Sequence, residues 1–159
     1  MPANPYAPDL DTREAREVVE TTPLELHRLV GRIGAARITA PRAPGKWSAR
    51  DILAHLADCE IAFGFRLRQT LAADDHVMQP FDQDRWAAPY PTYDANVALA
   101  AFEALRTWNV ALLKTVTPQQ MQRRVTHPER GAMTFRTIVE TMAGHDLHHI
   151  AQLEEIANR

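Results

Sequence analysis

The sequence predicts an all-α protein, a four-helix bundle with one long crossover connection. Three observations carry this reading. Four segments repeat apolar residues at steps of three and four. Capping residues and Pro/Gly clusters separate those segments. No stretch alternates convincingly as a strand, and there is no internal repeat. A chain of 159 residues suits one core, so residues 1–159 are read as a single domain, with 1–20 as an irregular or short-helix N-terminal arm.

The elements follow in order. The proline-rich start through Pro8 reads as irregular, and Asp11 or Thr12 caps a short helix to Glu20. Thr22-Pro23 restarts the helix, with Pro23 where a missing N–H costs little. Leu26, Leu29, Val30 and Ile33 then mark a first main helix to about Ile38. Ala40-Pro41-Arg42-Ala43-Pro44-Gly45 ends it. Ser48 caps the second helix, with Asp51 completing a shortened capping box, and the stripe Ile52, Leu56, Cys59, Phe63, Leu67 runs to about Ala73. Asp74 to Pro91 is a long polar loop in which Phe81, Trp86 and Tyr90 suggest an ordered cover. The third helix spans roughly Tyr93 to Val116, with Ala98, Phe102, Leu105, Trp108, Leu112 and Val116 on its inner side. Thr117-Pro118 begins a short helical turn, and His127-Pro128-Glu129-Arg130-Gly131 is a turn cluster. Thr134 caps a fourth helix to about Ala157, with Phe135, Ile138, Met142, Leu153 and Ile156 inward.

Composition narrows the function classes. Hydrophobic content of 45% and charged content of 24% are those of an ordinary globular protein. A formal net charge of -2 gives no nucleic-acid footprint. No apolar run approaches the roughly 20 residues that span a bilayer, so no membrane partner is expected. Met1-Pro2-Ala3-Asn4-Pro5-Tyr6 lacks the basic-then-apolar pattern of a signal peptide. Cys59 is the only cysteine, which excludes an internal disulfide, and the expected location is cytoplasmic.

The chemistry points to His145-Asp146-Leu147-His148-His149. At about 100° per residue, His145 and His149 project from nearly one face, a spacing that suits two imidazoles on one metal ion. Both fall within about 60° of the fourth helix's apolar direction, whereas His148 falls roughly 120° away, toward solvent or a partner. On the second helix His55 lies between Ile52 and Cys59, also inward. One inward histidine is ordinarily a neutral core residue, but three accumulate desolvation costs that a shared metal relieves. His55, His145 and His149 are therefore the candidate ligands. His27, His76 and His127 are expected to be solvated, and Cys59 to pack as a small apolar residue rather than ligate.

Asp146, near the centre of the inward stripe, has two roles open to it: to receive the second N–H of a ligand histidine, or to pair with an arginine in the bundle. Arg66 also points inward, roughly 16 Å along the helix from His55, too far to touch the metal. It could bind a substrate carboxylate or pair with a core acid. Arg85 and Trp86 in the long loop are candidate lid residues over a substrate pocket. His145-Asp146-x-x-His149 resembles the zinc-protease His-Glu-x-x-His, but the shorter aspartate misplaces the general base and a small bundle offers no peptide cleft, so proteolysis is rejected.

Trp47-Ser48 leading into His55-Leu56-Ala57-Asp58, the Trp86-containing loop, His127-Pro128-Glu129-Arg130-Gly131 with Met133-Thr134, and the closing Gly144-His145-Asp146-Leu147-His148-His149-Ile150-Ala151-Gln152-Leu153 together resemble the DinB-like family, from about residue 20 onward. That resemblance implies a four-helix bundle with a long crossover, often homodimeric, with a divalent metal at one end. It maps the family's three ligands onto His55, His145 and His149. It also implies activities that include thiol transferases using a low-molecular-weight bacterial thiol and a maleylpyruvate isomerase branch.

Three neutral imidazoles leave an exchangeable position on a zinc or nickel ion, between which sequence does not choose. Two classes of function follow. One is a metal-dependent transferase or hydrolase acting on a small molecule, with thiol S-transfer as the leading version and no catalytic residue assigned. The other is a non-catalytic metal-containing binding or stress-response module. An open metal position favours the first, and a fourth protein ligand the second.

Overall fold

The computed structural model describes residues 2–159. The helices are α1 (Ala7–Leu10), α2 (Ala15–Ile33), α3 (Ala49–Ala72), α4 (Gln83–Ala87), α5 (Ala95–Thr115) and α6 (Phe135–Ala157), and the strands are β1 (Arg124–His127) and β2 (Gly131–Thr134). The four long helices form a bundle in which each packs on two neighbours, in the cyclic order α2, α6, α3, α5. The α2–α3 and α5–α6 connections therefore cross diagonals, while the segment holding α4 links the adjacent α3 and α5.

Helix ends follow local chemistry. Ser48 and Asp51 form a reciprocal capping box at α3, the Asp51 N–H donating to Ser48 Oγ at 3.3 Å and the Ser48 N–H to Asp51 Oδ2 at 3.0 Å. Thr134 and Thr137 do the same for α6. Asp94 caps α5, accepting from the Asn96 and Val97 N–H groups. α2 stops at Ile33 rather than near Ile38, because Gly34 takes a φ of 73° there.

Three sequence expectations give way. The helix expected to break at Thr22-Pro23 runs straight through, with Pro23 inside α2. An interior proline leaves the carbonyl four residues earlier without its helical donor. That carbonyl, on Val19, accepts from Arg106 Nη1 at 2.8 Å, so the break is filled from another helix. Second, residues 124–134 form an antiparallel hairpin, with Val125 opposite Met133, where no strand was expected. Third, α5 is rotated: Trp108 is 67% exposed, and Arg106, Asn109 and Leu113 face inward instead.

The core divides into two apolar clusters. One gathers Val19, Phe63, Leu67, Phe135 and Met142, and the other Leu26, Leu29, Leu53, Phe102 and Leu153. Between them every long helix contributes buried polar groups: Thr22 from α2, His55 and Glu60 from α3, Arg106 and Asn109 from α5, and His145, Asp146 and His149 from α6. The histidines thus belong to a buried polar layer between the two apolar clusters.

Candidate metal centre

The three inward histidines meet. Ring centroids are 5.0 Å apart for His55 and His145, 4.8 Å for His55 and His149, and 4.5 Å for His145 and His149. Each is at most 5% exposed. The Nε2 atoms of His55 and His145 approach to 3.0 Å. Two nitrogens bound to one tetrahedral ion at roughly 2.0–2.1 Å would stand about 3.3 Å apart, so the pair nearly has the spacing of co-ligands. His149 Nδ1 pairs with Gln152 Oε1 at 3.0 Å, which orients the ring and leaves Nε2 free. His145 Nδ1 is buried with no hydrogen-bond partner among the described residues.

Burial sets the charge state. It lowers His55 to about 4. It also lowers His149, to about 3, with His55 adding to the effect and Gln152 opposing it. His145 lies well below the usual histidine value, through burial and then through repulsion from His149 and His55. Three neutral imidazoles at pH 7 are three lone-pair donors.

Cys59 is closer to this group than its expected packing role required. Its Sγ lies 3.5 Å from His55 Nε2 and 3.8 Å from His145 Nε2, and His55, Cys59 and His145 form a cluster with metal-ligand spacing. Burial, with Glu60 nearby, pushes its thiol up, so it is protonated unless a cation claims it. One turn along α3 from His55, Cys59 shares that histidine's face, the signal by which sequence reasoning could have promoted it.

Aromatic walls surround the imidazoles. Trp47 lies 4.8 Å from His55 and stacks 6.3 Å from His149. Tyr90, buried in the long loop, meets Trp47 at 5.9 Å and donates its O–H to Asp58 Oδ2 at 2.9 Å. Tyr6 abuts His145 edge-on at 5.2 Å. His148 stands outside the cluster with its side chain 42% exposed, held by Gln152 and 3.7 Å from Asp9.

The remaining sequence candidates fall elsewhere. Asp146 carries the second of its two roles: its carboxylate accepts from Arg106 at 2.7 and 3.0 Å and from Thr22 Oγ1 at 2.8 Å. Arg106, fully buried, also donates to Glu60 at 2.8 Å, and Asn109 donates to the other Glu60 oxygen at 2.9 Å. Burial works against the Arg106 charge, but Asp146 and Glu60 outweigh it and hold the guanidinium protonated. Among the described residues Arg66 pairs with no core acid: it donates to the Gln79 carbonyl at 3.2 Å and lies over the Phe81 ring. Arg85 is exposed and paired with Asp82, and Trp86 packs on Phe81 at 4.7 Å, so neither lines the cavity beside the histidines. From that loop Gln83 reaches the cavity. Of the histidines expected in solvent, His27 is exposed and pairs with Glu103. His76 is half-buried and His127 buried at the end of β1, where its Nδ1 accepts the Glu129 N–H at 3.2 Å and closes the hairpin turn.

The chain is similar to known proteins along most of its length. "Putative metal-dependent hydrolase YfiT" of Bacillus subtilis is 28% identical over 146 residues, covering 90% of this chain and 82% of that protein. A protein of Oceanobacillus iheyensis with the same descriptive name is 27% identical over 142 residues, covering 89% and 83%. The solved structure of YfiT, described as having an unusual four-helix bundle topology, superposes with a TM-score of 0.84, covering 91% of this chain and 85% of that one. A mycothiol-dependent maleylpyruvate isomerase shares the fold at a TM-score of 0.69 and 14% identity, covering 91% of this chain and 61% of that one. The DinB superfamily profile matches residues 19–153, and the chain belongs to that superfamily.

Proposed function

We propose that this protein is a divalent-metal-dependent enzyme acting on a small molecule, with zinc or nickel held by His55, His145 and His149. The observation that carries this reading is the convergence of three buried, neutral imidazoles, two of them with Nε2 atoms 3.0 Å apart. A divalent ion in such a site lets water or a thiol act as a nucleophile at neutral pH. The chain supplies the rest. Gln152 fixes the His149 ring, Trp47 and Tyr90 wall one side of the cluster, and Arg106 pairs with the Asp146 carboxylate. The leading reaction is S-transfer from a low-molecular-weight bacterial thiol, in line with the sequence resemblance. The names carried by the relatives favour hydrolysis, which uses the same activation of a nucleophile.

The Cys59 distances favour a second reading, in which its thiolate completes a closed His/Cys site and the protein binds metal without turnover. One set of variants separates the two. Metal content measured on purified protein should fall to background in His55→Ala, His145→Ala and His149→Ala and persist in His148→Ala. Under the enzyme reading Cys59→Ala keeps its metal, and the wild type transfers a bacterial thiol to a bimane electrophile or hydrolyses a small ester. A folded His149→Ala protein with full metal content overturns the ligand set. Loss of metal in Cys59→Ala, with no turnover in the wild type, overturns the enzyme reading in favour of the closed site.

A further inference from the structure

The N-terminal arm lies outside residues 19–153, which carry the superfamily match, yet it is built onto the site. Asn4 Oδ1 accepts the Tyr6 N–H at 3.0 Å, and the Tyr6 carbonyl accepts from the Asp9 and Leu10 N–H groups at 3.1 and 3.2 Å to start α1. Leu10 then inserts into the apolar cluster with Val139 and Ala143. Between these anchors the Tyr6 backbone crosses α6 at Gly144. A Cβ on Gly144 would stand 2.3 Å from the Tyr6 carbonyl oxygen and 2.7 Å from its Cβ, so only glycine admits the arm this closely. The crossing places the Tyr6 ring against both His145 (5.2 Å) and His148 (5.6 Å).

Beside the cluster lies a cavity of about 300 Å³, lined by Tyr6, Arg42, Lys46, Trp47, His149 and Gln152 among others. A pocket of this size takes a small molecule. Tyr6 and Trp47 stand in its lining on either side of the histidines, and the first comes from a segment outside the superfamily match.

We propose that the N-terminal arm is a working part of the active site, with Tyr6, seated over Gly144, forming the wall that limits which molecules reach the imidazole cluster. Its bearing on substrate choice rests on the enzyme reading above, whereas the wall itself does not. Tyr6 is a specificity-determining residue in this scheme: its ring excludes by size, and its hydroxyl is not required for closure.

Cys59 provides the test, being the chain's only cysteine, 5% exposed, and within 3.8 Å of the His145 ring that Tyr6 covers. Metal-free protein is treated with the bulky disulfide 5,5′-dithiobis(2-nitrobenzoate) and, separately, with iodoacetamide. Tyr6→Ala should raise the rate of modification at least tenfold for the bulky reagent and less for the small one. Tyr6→Phe should react like the wild type. Because Tyr6 is half-buried, its truncation leaves both apolar clusters intact; Gly144→Ala, which should also displace the arm, is the second variant. Repeating the reaction in sub-denaturing urea separates routes, since access through a missing wall is insensitive to urea and access through unfolding rises with it. A wild-type rate in Tyr6→Ala, or an equal rise for both reagents that tracks urea, overturns the proposal. Failure of the metal reading would appear instead as absent metal in the wild type and leave the Cys59 rates unchanged.

Discussion

Arg106 shows how a single side chain organises this bundle. Buried beside Glu60 and Asp146, it also occupies the carbonyl left open by Pro23, so three groups depend on one guanidinium. Removing one partner of a buried ion network leaves the others charged without compensation. Arg106→Leu should therefore lower unfolding free energy by about 3–5 kcal/mol, measured by urea denaturation of the metal-free protein. A loss under about 1 kcal/mol would mean that water or relaxation replaces the guanidinium. The same residue explains a failure of sequence reading. Apolar periodicity alone put Trp108 and Leu112 inward on α5, because the true inner face carries Arg106 and Asn109, polar residues that count against burial until their partners are known. His55, His145 and His149 were legible for the opposite reason. They lie on stripes whose other members are mostly apolar, so helical spacing alone put each of them on an inward face. Cys59 and Tyr6 were harder, since one resembles core and the other sits in an arm without periodicity.

At the scale of elements, the long helices were readable because capping chemistry is local: Ser48-Asp51, Asp94 and Thr134 each satisfy N–H groups within three residues. The hairpin was not. Its strands are four residues each, too short for alternation to register, and its order depends on pairing with residues 76–78, where the Met78 N–H donates to the Thr126 carbonyl at 2.8 Å. The packing of α3 on α6 has a pH consequence, because three imidazoles lie between them. With folded-state values depressed below 6.5, to about 4 for His55 and about 3 for His149, the native protein binds fewer protons than the unfolded chain below pH 6.5. Stability is thus fully present above pH 6.5 and declines as pH falls toward these lower values. Each histidine that stays neutral costs about 1.4 kcal/mol per pH unit in that window. Urea midpoints of metal-free protein at pH 7.0, 6.0 and 5.0 should drop progressively, with a shallower slope in His145→Phe. Equal midpoints across that range would show that the imidazoles protonate in place.

For the whole molecule, an exposed apolar face remains after the bundle is assembled. Ile61 and Phe65 on α3 are each 51% exposed, and Val97 and Trp108 on α5 are each 67% exposed. These are not scattered singles: Ile61, Val97, Ala101 and Leu105 line one groove of about 330 Å³ between the two helices, and Phe65 and Trp108 continue their stripes by helical spacing. Two adjacent helix stripes form one apolar patch, the kind a second copy buries across a twofold axis. The proposed functional unit is accordingly a homodimer joined through α3 and α5. Light scattering at micromolar concentration should give twice the 17.9 kDa chain mass. Ile61→Glu with Val97→Glu should return the single-chain mass without loss of helical circular dichroism, because both side chains already face outward. A single-chain mass in the wild type removes the dimer. A dimer unaffected by the double variant moves the interface to another face.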